Sequence, residues 1–169
     1  MSFIDSILDG CIGEWVIVDF LNKQPTVKAV IDVRDDLNFR NDDIDFLIKD
    51  SKNQYTPIEI KTDFQAYNTG NIAYELTTSG NIGCFEKTKA NHVYYYLPQI
   101  TTFYVISVKA IREYIKITKP TVKNMGDAAT GYLLPIKNLI ENKVIIKTVN
   151  VKERYENEYQ ERNRNRSND

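Results

Sequence analysis

The sequence predicts an α/β protein with a central mixed β-sheet flanked by helices. Three observations predict it. Segments 43–48 (DIDFLI) and 57–61 (PIEIK) alternate polar and apolar residues with the period of a half-buried strand. The N-terminal stretch carries apolar residues at helical spacing. Helical and strand-like segments then follow one another along the chain, the pattern of layered helices on a sheet.

Taken in order, Phe3 to Leu21 reads as a helix with a broad apolar stripe that includes Ile4, Ile7, Leu8, Cys11, Ile12, Trp15 and Val16, weakened by Gly10 and Gly13. Thr26–Val33 reads as a strand. A polar stretch leads to the paired segments, joined by the turn Asp50–Gln54. Asn71–Thr77 is a further strand after the turn ending at Gly70. Phe85–Ala90 is a short helix. His92–Leu97 and Thr102–Val108 form a hairpin around Pro98, and Val108–Ile115 is helical. Thr118–Thr130 is a polar loop with Pro120 and Gly126, Gly131–Asn142 contains a short helix, and Val144–Val149 is the last strand. Residues 1–150 make one domain. Residues 151–169, nearly all charged or polar, form a tail that is helical at first or disordered.

Centring the hairpin on Lys52 fixes its register. Phe46 falls opposite Ile58, Ile44 opposite Ile60, and Asp45 opposite Glu59. Directly opposed residues share a face, with Cβ atoms about 5 Å apart. Two carboxylates and the Lys61 ammonium therefore converge on one patch, backed by an apolar face. Opposed carboxylates repel, and a fold tolerates them when something positive sits between them.

Net charge is −1 over 169 residues, which excludes a uniformly basic nucleic-acid coat. The charge is uneven. Residues 1–50 hold eleven acids against five Lys/Arg, whereas 85–123 hold seven Lys/Arg against Glu86 and Glu113. An acidic site beside a basic region suits a metal-dependent reaction on a phosphate backbone. Cys11 and Cys84 lack a partner at metal-site spacing and fit reduced thiols. The start of the sequence lacks a basic n-region and a long apolar run, and no stretch approaches a membrane span, so the expectation is a cytoplasmic protein.

Metal-dependent phosphodiester hydrolysis needs hard oxygen ligands, and Mg²⁺ or Mn²⁺ takes one or two carboxylates plus waters and phosphate oxygens. Asp45 and Glu59 supply the carboxylates, and the backbone carbonyl of Ile60 a further oxygen. Lys61 lies about 7 Å along the strand from Glu59 on the same face, near enough to act on water or phosphate.

Asp45 followed by Glu59, Ile60 and Lys61 on the next strand resembles the PD-(D/E)xK nuclease superfamily, the restriction endonuclease-like fold that phage nucleases and Holliday junction resolvases share. Gly13 and Glu14 within an apolar helix resemble the glutamate often carried on its first helix. Segment 69–75 (TGNIAYE) looks like the next core strand. Segment 83–90 (GCFEKTKA) before 92–96 (HVYYY) resembles its basic helix and following strand. The resemblance spans residues 10–110 and departs at Ile44, where the signature has proline.

The resemblance implies a Mg²⁺- or Mn²⁺-dependent DNA endonuclease. Asp45, Glu59 and Ile60 would hold metal, Lys61 would position water, and Lys87 and Lys89 would hold the substrate backbone. Glu14 and Glu75 either assist or are ordinary surface acids. Asp43, in register with Lys61, is a ligand or, preferably, a salt-bridge partner of that lysine. His92 reads as a hydrogen-bonded core residue, and Tyr94, Tyr95 and Tyr96 as core and sheet surface. With no helix-turn-helix or zinc-finger pattern, a junction- or flap-selective enzyme is favoured, and cutting two strands suits a homodimer. The alternatives are a non-catalytic nucleic-acid- or protein-binding domain that keeps the fold, and an RNA-directed nuclease.

Overall fold

The computed structural model describes residues 3–126 and 128–151, with only the backbone for 3–11. Of the expected tail 151–169, Val151 is instead buried in the core, its N–H donating to the Thr101 carbonyl at 2.8 Å. Residues 152–169, and the side chains of the outer half of the N-terminal apolar stripe, lie outside the described residues. The elements are α1 (Phe3–Asn22), β1 (Val27–Asp32), α2 (Leu37–Asn41), β2 (Phe46–Asp50), β3 (Tyr55–Thr62), α3 (Ala66–Thr69), β4 (Asn71–Thr78) and β5 (Asn81–Ile82). They continue with α4 (Cys84–Lys87), β6 (His92–Leu97), β7 (Thr102–Ser107), α5 (Val108–Thr118), β8 (Lys123–Gly126), β9 (Ala129–Pro135), α6 (Ile136–Glu141) and β10 (Ile145–Asn150).

Six strands form one sheet in the order β1-β2-β3-β6-β7-β10. Only β3 and β6 are parallel, so the sheet is mixed. The β2–β3 hairpin has the register expected from its turn, with Phe46 opposite Ile58 and Lys49 opposite Tyr55. The turn is held by Asp50, whose Oδ1 accepts the N–H groups of Lys52 and Gln54, both at 2.8 Å.

Apolar side chains on the two faces of this sheet make two cores. Val16, Ile17 and Leu21 of α1 pack on Phe46, Ile58, Ile60, Tyr96 and Phe103. On the other face Val93, Tyr95 and Ile106 meet Ile72, Tyr74 and Phe85 from the β3–β6 crossover, together with Ile111 of α5 and Leu139 of α6. Alternation along β3 therefore turns Ile58 and Ile60 toward α1, and Glu59 and Lys61 toward the crossover.

Gly13 is what lets α1 lie on β3. A Cβ there would fall 2.0 Å from Thr62 Oγ1. The residue that weakens the helix as a helix is required by its packing.

Several expectations are corrected. The strand 71–78 is not part of the main sheet. It forms a second, four-stranded antiparallel sheet in the order β5-β4-β9-β8. The polar loop 118–130 contains β8, which pairs with β9. The short helix before β6 is one turn, Cys84–Lys87, and ends before Thr88. His92 is only partly buried at the head of β6, whereas Tyr95 and Tyr96 are buried as expected.

Candidate active site

Asp45 precedes β2 by one residue, just beyond the last rung of the ladder, Phe46 opposite Ile58. Its N–H donates to the Ile58 carbonyl at 3.0 Å. Its Oδ2 accepts the Ile60 N–H at 2.7 Å. In an extended strand a residue's N–H and C=O point to the same side, so the Ile60 carbonyl also faces the Asp45 side of β3. Burial pushes the Asp45 carboxyl up to about 6, against the Ile60 hydrogen bond, and the charge of Glu14 adds to the rise while Arg34 opposes it.

Glu59 is the more perturbed of the two. Burial first, and then the charges of Asp45 and Asp43, push its carboxyl up to about 9. Its Oε1 accepts from the Cys84 thiol at an S···O distance of 3.5 Å. Among the described residues its Oε2 is buried with no hydrogen-bond partner. The two carboxyl groups are thus neighbours although the ladder does not pair them, and each alters the proton affinity of the other.

Cys84 is a free thiol that the sequence reading did not connect with the site. Burial and the Glu59 charge hold it well above the ordinary thiol range, with Lys61 pulling the other way. It reaches Glu59 because Gly83 lets the start of α4 sit against β4. A Cβ on Gly83 would lie 2.0 Å from the Glu75 carbonyl oxygen.

Lys61 faces the crossover and pairs with Glu75, Nζ to Oε1 at 3.1 Å, both side chains about three-quarters buried. Glu75 Oε2 in turn accepts from the Thr78 hydroxyl at 3.0 Å. Glu75 therefore enters the constellation from the second sheet, through Lys61. Asp43 does not pair with Lys61. Its backbone turns into the left-handed region at φ 45°, ending the strand-like register, and its carboxylate pairs with Lys87 at 2.6 Å. Lys89 pairs with Asp42 at 2.9 Å. Lys87 is thus held by an acid that lines the cleft with Glu59, whereas Lys89 is held by Asp42 and does not line that cleft.

Glu14 is not a plain solvent-facing residue. It pairs with Arg34, whose Nε and Nη2 also grip Asp32 at 3.0 and 2.6 Å and whose guanidinium stacks over Phe46 at 5.0 Å. Arg34 and Arg40 join Asp43, Asp45 and Glu59 in lining a cleft of about 400 Å³. Neither arginine stood out in sequence, because both lie in a polar stretch with no periodicity. A further arginine, Arg112 of α5, donates to the carbonyls of Phe85, Glu86 and Thr88 at 3.0, 3.0 and 2.7 Å and so fixes the α4 segment. Asp63 lies outside the site. Its Oδ1 accepts the N–H groups of Gln65 and Ala66 and its Oδ2 the Tyr95 hydroxyl, a turn-forming role.

Among the described residues, no group of three or more His, Cys, Asp or Glu side chains is arranged to hold a metal ion. Asp45 and Glu59 are nonetheless neighbours, and the orphaned Glu59 Oε2 is an oxygen that a hard cation would satisfy. Among the described residues no helix is long and apolar enough to cross a membrane. In comparisons with known proteins, no family model, no curated protein and no solved structure matches the chain.

Proposed function

We propose that the chain is a Mg²⁺- or Mn²⁺-dependent DNA endonuclease with a restriction endonuclease-like fold. The observation that carries this reading is the Asp45–Glu59 pair, two adjacent carboxyl groups drawn out of water with Glu59 Oε2 left unpartnered. Such a pair is costly unless a proton or a cation shares it. Asp45, Glu59 and the Ile60 carbonyl would hold the metal, which when bound supplies Lewis-acid charge stabilisation and a more acidic water.

The remaining work belongs to the chain. The Ile60 N–H orients Asp45, and the Cys84 thiol orients Glu59. Lys61, steadied by Glu75, offers an ammonium on the Glu59 face for the attacking water or the transferring phosphate. Arg34 and Arg40 put two further cations in the cleft, and Lys87, paired with Asp43, and Lys89, paired with Asp42, would hold the substrate backbone. The lack of a base-reading module favours junction or flap substrates, and two cuts favour a homodimer.

The test is cleavage of duplex, single-stranded, flap and four-way-junction DNA, with an RNA duplex alongside, in Mg²⁺, Mn²⁺ or chelator. Metal-dependent nicking of a DNA substrate that Glu59→Gln loses is the expected result. No cleavage of any substrate in either metal overturns the reading, and cleavage of RNA alone redirects it to an RNA-directed nuclease.

A further inference from the structure

A second cleft, of about 600 Å³, opens where β6 begins and α5 starts. Lys89, Lys109, Arg112 and Lys116 line it, with Glu113 as the acid among them. The cleft at Asp45 has the opposite character, with Asp35, Asp43, Asp45 and Glu59 against Arg34 and Arg40. In a chain of net charge −1, positive charge is thus gathered in one concavity, where low-dielectric walls focus its field.

The gathering has a local cause. Val108 and Ile111 of α5 are buried against the sheet. Lys109, Arg112 and Lys116 recur at intervals of three and four on another stripe of the same helix. The guanidinium of Arg112 is fixed by three backbone carbonyls, which are neutral acceptors and leave its charge uncancelled. Lys116 lies 4.0 Å from Glu113 with both side chains largely exposed, a weak pair. Lys109 makes no ion pair among the described residues. The N-terminus of α5, capped by Ser107 Oγ accepting the Ala110 N–H at 3.2 Å, adds partial positive charge at the cleft.

The two clefts adjoin. Ile58, next to Glu59, is in register with His92, and the Asn91 N–H donates to the Pro57 carbonyl at 2.8 Å. Lys89, on the basic cleft, pairs with Asp42, whose neighbour Asp43 lines the acidic one. Lys87 and Lys89, on Asp43 and Asp42, therefore link the two clefts.

We infer that the β6–α5 cleft seats a backbone phosphodiester of duplex DNA away from the scissile bond, with Lys109 and Lys116 as its mobile contacts and Arg112 as its fixed one. This rests on the nuclease reading. A free phosphate or a mononucleotide presents the same chemistry, so the test separates them.

The experiment compares the full chain with its Lys109→Ala/Lys116→Ala variant, both with native circular dichroism. Binding of a 20-base-pair duplex is followed from 50 to 200 mM salt with Ca²⁺, and cleavage with Mg²⁺. The expected result is weaker binding in the variant, with a salt slope lower by about one unit for each lost contact, and cleavage retained at saturating DNA. If the parent binds and cleaves and the variant keeps its affinity and slope, this inference alone falls. A parent that neither binds nor cleaves overturns the nuclease reading and this inference with it. If millimolar inorganic phosphate or a mononucleotide displaces the duplex from the parent but not from the variant, the cleft is a small-anion pocket and the backbone assignment is overturned.

Discussion

Lys61 Nζ lies 3.1 Å from Glu75 Oε1, and this one ion pair joins β3 of the main sheet to β4 of the second sheet. The lysine of the proposed site is therefore not free to roam toward a substrate. It is anchored from a separate layer, beside a thiol that holds Glu59. If Lys61 acts on water or on the transition state, Lys61→Ala lowers turnover of bound DNA by about 10²-fold with little change in affinity. Glu75→Gln keeps the ammonium and loosens it, so a smaller loss of turnover, without loss of duplex binding, is expected in single-turnover kinetics. A fall in affinity with unchanged turnover in Lys61→Ala would make the lysine a phosphate anchor only.

The raised Glu59 carboxyl gives a pH dependence with a definite sign. Its ordinary value is 4.5 and burial lifts it to about 9, so the folded state keeps a proton that the unfolded state gives up. The stabilisation from that proton is complete below pH 4.5 and is lost as pH rises through about 9. Asp45, lifted from 3.8 to about 6, contributes in the same direction over a lower window. In chelator, urea unfolding across this range should show stability falling with pH, and Glu59→Gln should remove the part of the slope above pH 6. Adding Mn²⁺ should reverse the trend, because the metal competes with that proton. An unchanged slope in the variant would mean that Glu59 is ionised in the free protein.

Gly13→Ala tests how α1 is seated. In a free helix the change gains about 1 kcal/mol. Here the new Cβ would lie 2.0 Å from Thr62 Oγ1 and 3.3 Å from Thr62 Cβ, so the helix must lift off β3 or Thr62 must rotate. Overpacking of this kind costs about 1–3 kcal/mol. A net lowering of the melting temperature is expected, and its rise would show that the contact is slack. The neighbouring Glu14 moves with the backbone, so its pair with Arg34 should loosen as well.

What sequence made legible follows from the range of each interaction. The β2–β3 register was readable because a period of two and a short turn fix it locally, and Phe46 does stand opposite Ile58. The same arithmetic failed beyond Phe46, where the ladder ends: the Asp45 N–H goes to Ile58, Ile44 packs with Val33 and Ala90 and not opposite Ile60, and Asp43 adopts φ 45°. The second sheet was not legible. Its β8 is a four-residue strand, KNMG, without alternation, and its pairing with β9 is the only sheet contact it makes among the described residues. Cys84, and the link from Arg34 to Glu14, were missed because those partners lie far away in sequence, although Arg34 also pairs with Asp32 two residues before it. Glu59 is 25 residues from Cys84, and Glu14 is 20 from Arg34.

Lys87 and Lys89 look alike in sequence but should separate by experiment. Lys89 pairs with Asp42 and is 70 % exposed, so Lys89→Ala should weaken duplex binding, lower its salt slope by about one unit and leave metal affinity alone. Lys87 pairs with Asp43, whose charge is one of those acting on Glu59. Removing Lys87 leaves that negative charge uncompensated beside the carboxylate pair. Lys87→Ala should therefore weaken duplex binding and at the same time tighten Mn²⁺ at a pH where Glu59 is ionised. Calorimetric titration of the metal at pH 9.5, set against duplex titration in the same buffer, reads the two signs independently. If both affinities fall together, Lys87 supports the local fold, and a melting curve of the variant would show that loss directly.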